Sequence, residues 1–190
     1  MSVPDSLTPL VEPLAAVQRL LAHFRGKGVI IGGVAASLLG KPRLTADVDA
    51  VVLLSVEDIP QLLEVAQQEG LVPRFPDVAD FARRHRVVLL RHAASRINVD
   101  ISLGILPFET ETVERSTMHR VGILEVRLPT VEDLIILKAV AHRPKDLLDI
   151  QTLIETNSNL DRRRIRHWVS EFAEALDMPE IWDDIAAWLV

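Results

Sequence analysis

Val29-Ile30-Ile31-Gly32-Gly33-Val34-Ala35-Ala36-Ser37-Leu38-Leu39-Gly40, followed by Lys41-Pro42-Arg43-Leu44-Thr45-Ala46-Asp47-Val48-Asp49-Ala50-Val51-Val52-Leu53-Leu54, reads as strand, glycine turn, helix, loop and second strand. Side chains alternate along a strand, so Asp47 and Asp49 present their carboxylates on one face. That pair outlines a divalent metal site. The diglycine lets backbone N–H groups and a helix N-terminus approach an anion closely, which suits phosphate. Metal beside phosphate points to a nucleotide.

A second strand extends this reading. In Arg96-Ile97-Asn98-Val99-Asp100-Ile101-Ser102-Leu103, Ile97, Val99, Ile101 and Leu103 take one face while Asn98, Asp100 and Ser102 take the other. With Arg86 to Arg91 and the intervening His92-Ala93-Ala94-Ser95 it reads as a β-hairpin with a four-residue loop. If this strand lies beside the first, Asp100 joins Asp47 and Asp49 as a third metal ligand. Such a site polarises an acceptor hydroxyl for in-line attack on an α-phosphate, with pyrophosphate leaving.

The rest of the chain reads as scaffold. Residues 1–9 carry Pro4 and Pro9 without a period and are expected to be irregular. Leu14, Val17, Leu20, Leu21 and Phe24 fall at helical spacing before Gly26. Ser55-Val56-Glu57-Asp58 is a capping-box pattern opening a helix over 56–69, and Thr130-Val131-Glu132-Asp133 is a second. Asp77 is expected to cap a short helix, 107–116 to be a short polar helix or loop, and 118–128 to hold one or two short strands. Pro144, Asp161 and Pro179 open further helices. The fold class is therefore α/β (α+β): a mixed sheet flanked by helices over 1–128, then a helical region over 129–190.

Composition sets limits. With 190 residues and 48% hydrophobic content, the chain suits one domain with a modest extension. No apolar run approaches the ~20 residues of a bilayer span. Met1-Ser2-Val3-Pro4-Asp5 lacks a signal-peptide layout, so a cytoplasmic protein is expected. Without cysteine, metal ligands are restricted to Asp, Glu and His, and oxygen donors favour Mg²⁺ or Mn²⁺. The histidines form no zinc-type pair. A net charge of −6 argues against binding nucleic acid through a broad positive field. The basic runs at Arg83-Arg84-His85-Arg86, His142-Arg143-Pro144-Lys145 and Arg162-Arg163-Arg164-Ile165-Arg166 read first as solvated faces paired to acids, although each could touch phosphate. Trp168, Trp182 and Trp188 read as core residues of the last helices.

Gly32-Gly33, Arg43-x-Thr45-x-Asp47-x-Asp49 and Asp100 within an apolar strand resemble the nucleotidyltransferase superfamily that includes DNA polymerase β and the minimal nucleotidyltransferases. The usual signature has Gly-Ser; here Gly33 stands where serine would be, and a phosphate-binding hydroxyl is missing unless Thr45 supplies it. Leu128-Pro129-Thr130-Val131-Glu132-Asp133-Leu134-Ile135-Ile136-Leu137-Lys138 and Arg143-Pro144-Lys145-Asp146-Leu147-Leu148-Asp149-Ile150 look like the AbiEii-type toxin branch, so that the resemblance covers roughly residues 28–156.

The resemblance implies transfer of a nucleoside monophosphate from an NTP to a hydroxyl. Asp47, Asp49 and Asp100 would hold Mg²⁺ or Mn²⁺. Gly32, Gly33, Arg43 and Thr45 would bind the nucleotide, Lys138 would contact the triphosphate, and Asp146 would support the lysine or the nucleotide. The helical region over 129–190 would complete the cleft. The implied partners are an NTP, an RNA such as tRNA as acceptor, and a cognate antitoxin. Two other outcomes stay open: an antibiotic-type small-molecule nucleotidyltransferase, and a catalytically silent nucleotide-binding or interaction module. For Lys138 the residues alone allow a snorkelling lysine at the edge of a core helix. Asp146 could serve the helix dipole, and Asp149 a solvent-facing pair with Arg143 or Lys145.

Overall fold

A computed structural model describes residues 4–189. The expected lead-in over residues 1–3 lies outside the described residues. From Asp5 to Leu10 the chain forms a 3₁₀ helix, not an irregular segment, and buries Leu7 and Leu10. Their spacing of three matches the 3₁₀ repeat, which brings both to the same side. Helix α1 (Val11–His23) follows with Leu14, Val17, Leu20 and Leu21 buried.

Strand β1 (Gly28–Ile31) runs directly into α2 (Gly32–Leu39), and the loop after it leads to β2 (Asp47–Val52). At Ser55 the capping box forms as expected, with Asp58 Oδ2 accepting 2.8 Å bonds from the Ser55 N–H and hydroxyl. The first turn there is 3₁₀, and α3 (Ile59–Gln68) begins later than the sequence suggests. A short strand with no sequence forecast, β3 (Leu71–Pro73), precedes α4 (Val78–His85). Then come β4 (Val87–His92), β5 (Asn98–Leu103), α5 (Pro107–Arg115) and the β6 (Thr117–Val121)/β7 (Leu124–Leu128) hairpin. Four helices close the chain: α6 (Val131–Ala141), α7 (Pro144–Thr156), α8 (Arg162–Leu176) and α9 (Glu180–Ala186).

The main sheet has five strands in the order β1-β2-β5-β4-β3. β2 and β5 are parallel, and the other neighbours are antiparallel. Alternation decides which face is which. Val48, Ala50, Val52, Val99, Ile101 and Leu103 are buried on one side, leaving Asp47, Asp49, Asn98, Asp100 and Ser102 half-buried on the other. Pro73 ends an edge strand, where a missing N–H costs no ladder bond.

Helix α6 is apolar on every side and sits among α2, α7, α8 and α9, with Leu134, Ile135, Ile136 and Ala139 fully buried. A helix of that composition belongs inside a bundle. Thr130 Oγ1 caps it, accepting from the Asp133 N–H at 3.1 Å. Trp168, Trp182 and Trp188 pack half-buried against the core, in line with their expected role. Among the described residues no helix is long and apolar enough to cross a membrane.

Candidate active site

The parallel pairing of β2 with β5 sets the centre of the site. Asp47 lies opposite Asn98 and Asp49 opposite Asp100. Register partners share a face, so the strands bring all three aspartates onto one surface. Gly32 adjoins them at the start of α2. With φ +67° it occupies the left-handed region, and a Cβ there would overlap Asp49 Oδ2 and lie 2.8 Å from Asp49 Cγ. Only glycine allows the turn and the close approach together. Gly33 has the same crowding from another side: its missing side chain leaves room for Thr45 Oγ1, which donates to Asp47 Oδ1 at 3.2 Å.

The three carboxylates are unequally compensated. Burial, reinforced by the nearby charges of Asp47 and Asp100, pushes Asp49 up to about 6, against the opposing pull of Arg143 and Lys138. Asp100 is also raised, chiefly by burial, while Arg74 opposes the shift. Arg74 Nη2 donates to Asp100 Oδ1 at 2.5 Å. Among the described residues no group of three His, Asp or Glu side chains is drawn together tightly enough to ligate one ion. Asp47 and Asp49 nevertheless fit a divalent cation by donor type, and Asp49 carries the excess proton affinity of an uncompensated carboxylate.

A ladder of alternating charge stands beside them. Arg43 grips Asp149 with both arms of its fork, Nε–Oδ1 at 2.6 Å and Nη2–Oδ2 at 2.7 Å. Lys138 Nζ reaches Asp149 Oδ2 at 2.6 Å and Asp146 Oδ1 at 3.1 Å. Arg143 Nε donates to Asp146 Oδ2 at 2.5 Å. Burial alone would raise both aspartates. Hydrogen bonds from Arg143 and Lys138 hold Asp146 below its ordinary value, and those from Arg43 and Lys138 do the same for Asp149.

Helix geometry explains the ladder. Asp146 and Asp149 are three apart on α7 and face the same way, toward α6. Lys138 lies on a helix with no solvent face to snorkel toward and is 4% exposed. It is therefore an interior cation clamped by two carboxylates. The cations of the ladder with solvent access are Arg143 and Arg43, at 58% and 34% side-chain exposure. Asp149, for which a solvent-facing pair was one expectation, is buried at 5%.

The loop carrying Arg43 and Thr45 is tied to its surroundings. Ser37 Oγ donates to the Arg43 carbonyl at 3.1 Å, Lys41 pairs with Glu155 at 3.1 Å, and Asn157 Nδ2 donates to the Leu39 carbonyl at 3.1 Å. Sequence reasoning passed over Arg74, whose partner lies far along the chain. Arg143 and Asp149 entered it only as parts of the Arg-x-Lys-Asp-x-x-Asp pattern, which the resemblance turns toward the nucleotide, without a role of their own. Of the other basic runs, Arg83 pairs with Asp80, and Arg164 turns inward to Asp133 and Glu111.

This sheet, with its paired strand aspartates and diglycine turn, is a nucleotidyltransferase fold. It matches an antigenic nucleotidyltransferase-like protein from Paracoccidioides brasiliensis at TM-score 0.56 and 15% identity, covering 99% of this chain and 94% of the other. It also matches the antibiotic-resistance factor ANT(2'')-Ia at TM-score 0.55 and 15% identity, covering 88% of this chain and 95% of the other. The family described as "Nucleotidyl transferase AbiEii toxin, Type IV TA system" matches residues 17–183, and the chain belongs to that family. It is a nucleotidyltransferase. No curated protein matches the sequence.

Proposed function

We propose that this enzyme moves a nucleoside monophosphate from an NTP to an acceptor hydroxyl, with RNA as the acceptor class. The observation that carries the reading is the register of Asp49 with Asp100 on parallel strands, with Asp47 on the same face. A divalent cation, Mg²⁺ or Mn²⁺, held by Asp47 and Asp49 and completed by Asp100 would supply Lewis-acid stabilisation of the phosphates. The N–H groups at Gly32 and Gly33 bind phosphate oxygens, and the Thr45 hydroxyl reaches one by giving up its bond to Asp47. Arg143 and Arg43 offer their accessible N–H groups to the triphosphate. Lys138 fixes them through Asp146 and Asp149, with the region over 129–190 closing the cleft. Asp100, whose proton affinity is raised, takes the proton of the attacking hydroxyl at its carboxylate.

The family description supports a cognate antitoxin as partner. The likeness to an antibiotic-resistance factor is one of fold and favours a small-molecule acceptor only weakly beside that family description. A silent module is suggested by the missing signature serine; Thr45 Oγ1, lying where a Gly33 side chain would begin, supports the reading that Thr45 stands in for it. The test is labelling of total RNA by α-³²P-NTP in the presence of Mg²⁺ or Mn²⁺. Incorporation that disappears in Asp49→Ala supports the reading. Transfer only to small-molecule acceptors would replace RNA as the acceptor, and no pyrophosphate release with any acceptor would sink the enzyme reading.

A further inference from the structure

The carboxylate face continues past Asp100. Leu89 and Arg91 of β4 are the register partners of Asp100 and Asn98, and the Arg74 N–H bonds the Leu89 carbonyl at 3.1 Å just beyond β3. The order of strands therefore lays out the surface in sequence. The glycine turn follows β1, the aspartates sit on β2 and β5, and Arg91 and Arg74 lie on the far side.

Both arginines are incompletely satisfied. Arg91 is half-buried, its Nε is sealed from solvent without a hydrogen-bond acceptor, and it pairs with no carboxylate among the described residues. Arg74 Nε is likewise buried without an acceptor, while its Nη2 holds Asp100. A guanidinium stays charged at any working pH, and its planar fork matches phosphate oxygens. The two Nε groups are closed to a ligand, but the Nη groups of Arg91 reach solvent and bond no acceptor among the described residues, so the outer edge of its fork is open to one brought by a ligand.

We propose that Arg91 and Arg74, with Asn98 between them and the aspartates, form a subsite for a phosphate group of the acceptor. The inference rests on the reading of Asp47, Asp49 and Asp100 as the reacting centre. With the NTP phosphates at the glycine turn, the β4–β3 side is left for the acceptor. A polynucleotide carries a phosphodiester close to its terminal hydroxyl and supplies the missing acceptor atoms. A polycationic antibiotic would instead meet two guanidinium groups, one of them without a counter-charge. Arg74 is in addition a positioning residue. A phosphate that engages its fork competes with Asp100, so arrival of the acceptor frees that carboxylate for the centre.

The test compares the full-length protein with Arg91→Gln, Arg91→Lys, Arg74→Gln and Arg74→Lys, each checked for an unchanged melting transition. The assays are NTP-dependent labelling of RNA and anisotropy of a fluorescent hexaribonucleotide with a free 3′ hydroxyl. The expected result for Arg91→Gln is at least a tenfold rise in KM for RNA, a much smaller change in KM for the NTP, and a loss of about one from the slope of log affinity against log salt. Arg91→Lys falls between, since it keeps the charge and loses the fork. For Arg74→Gln kcat changes together with the KM for RNA, because Asp100 loses the group that positions it, and Arg74→Lys restores part of both.

If wild type labels RNA and the Arg91 variants leave the KM for RNA and the salt slope unchanged, the subsite is overturned and the proposed reaction stands. A rise confined to the KM for the NTP assigns these arginines to the nucleotide and overturns it too. If wild type labels no RNA, hexaribonucleotide binding that weakens in Arg91→Gln still supports the subsite, and no binding overturns both readings.

Discussion

Thr45 Oγ1 occupies the space in which a side chain on Gly33 would begin: a Cβ built there would overlap the hydroxyl and lie 2.9 Å from Thr45 Cβ. A side chain at position 33 and the Thr45 hydroxyl on the loop before β2 therefore exclude one another.

Gly33→Ser should therefore damage the site it was meant to complete. Overpacking of this kind costs about 1–3 kcal/mol, and here it displaces the loop that carries Arg43. Turnover in the RNA-labelling assay should fall at least tenfold. The double change Gly33→Ser with Thr45→Ala should recover part of the loss, giving a coupling of about 1 kcal/mol or more in a double-mutant cycle. Additive losses would show that the two side chains do not share one space.

Gly32→Ala is expected to be worse. The residue would have to hold φ +67°, at about 1–2 kcal/mol, and its methyl group would collide with the Asp49 carboxylate. Denaturant unfolding should show that loss of stability, and activity should drop below a hundredth of wild type. An active Gly32→Ala enzyme would contradict the close approach described here.

Lys138→Met should destabilise the protein by about 3 kcal/mol, the lower end of the cost of stripping one partner from a buried ion pair. The lower end applies because Asp149 keeps Arg43 and Asp146 keeps Arg143. Urea titration with an unchanged m-value is the measurement. A variant as stable as wild type would mean that Lys138 contributes nothing to holding the ladder.

Metal-free stability should rise as pH falls from 7.5 to 5. Asp49 is raised to about 6 in the folded state, so its protonated form is favoured by folding. Its contribution is fully present below the ordinary carboxylate value and is lost as pH rises through about 6. A shift of roughly two pKa units corresponds to about 3 kcal/mol in full, of which about half, ~1.4 kcal/mol, is gained by pH 5. Asp100 acts in the same direction. Asp146 and Asp149 have the opposite sign: their stabilisation holds above the ordinary value and is lost only as pH falls through their depressed pKa values. They are silent between pH 5 and 7.5. Thermal melts should show the rise, Asp49→Asn should flatten it, and added Mg²⁺ should stabilise more at pH 7.5 than at pH 5.

Local chemistry made much of this structure legible in advance. The alternation around Asp100 marks the half-buried polar face of β5, and the capping patterns at Ser55 and Thr130 form real hydrogen bonds. What stayed hidden depends on partners distant in sequence or on segments too short to show a period. β3 has three residues and ends on proline, so it offers no alternation. The burial of Lys138 follows from helices packing around α6, which no window of sequence reports. Arg74 meets Asp100 only because β4 lies between their segments in the sheet. For Leu7 and Leu10 a signal existed, but a spacing of three with prolines nearby does not stand out from irregular chain.

The charge ladder has a consequence for anyone exchanging segments between relatives. A cut after Leu128 looks convenient, because it separates the sheet from the closing helices. It would nonetheless split one bonded network, since Arg43, which holds both oxygens of Asp149, comes from one side of the seam and Asp149, Lys138, Asp146 and Arg143 from the other. A transplanted helical half would keep Lys138 on Asp149 but leave that buried carboxylate without the two hydrogen bonds of the Arg43 fork, unless the recipient brings an arginine to the same place. Arg43 before β2 and the helices after β7 are therefore best moved as one piece, however far apart the gene writes them.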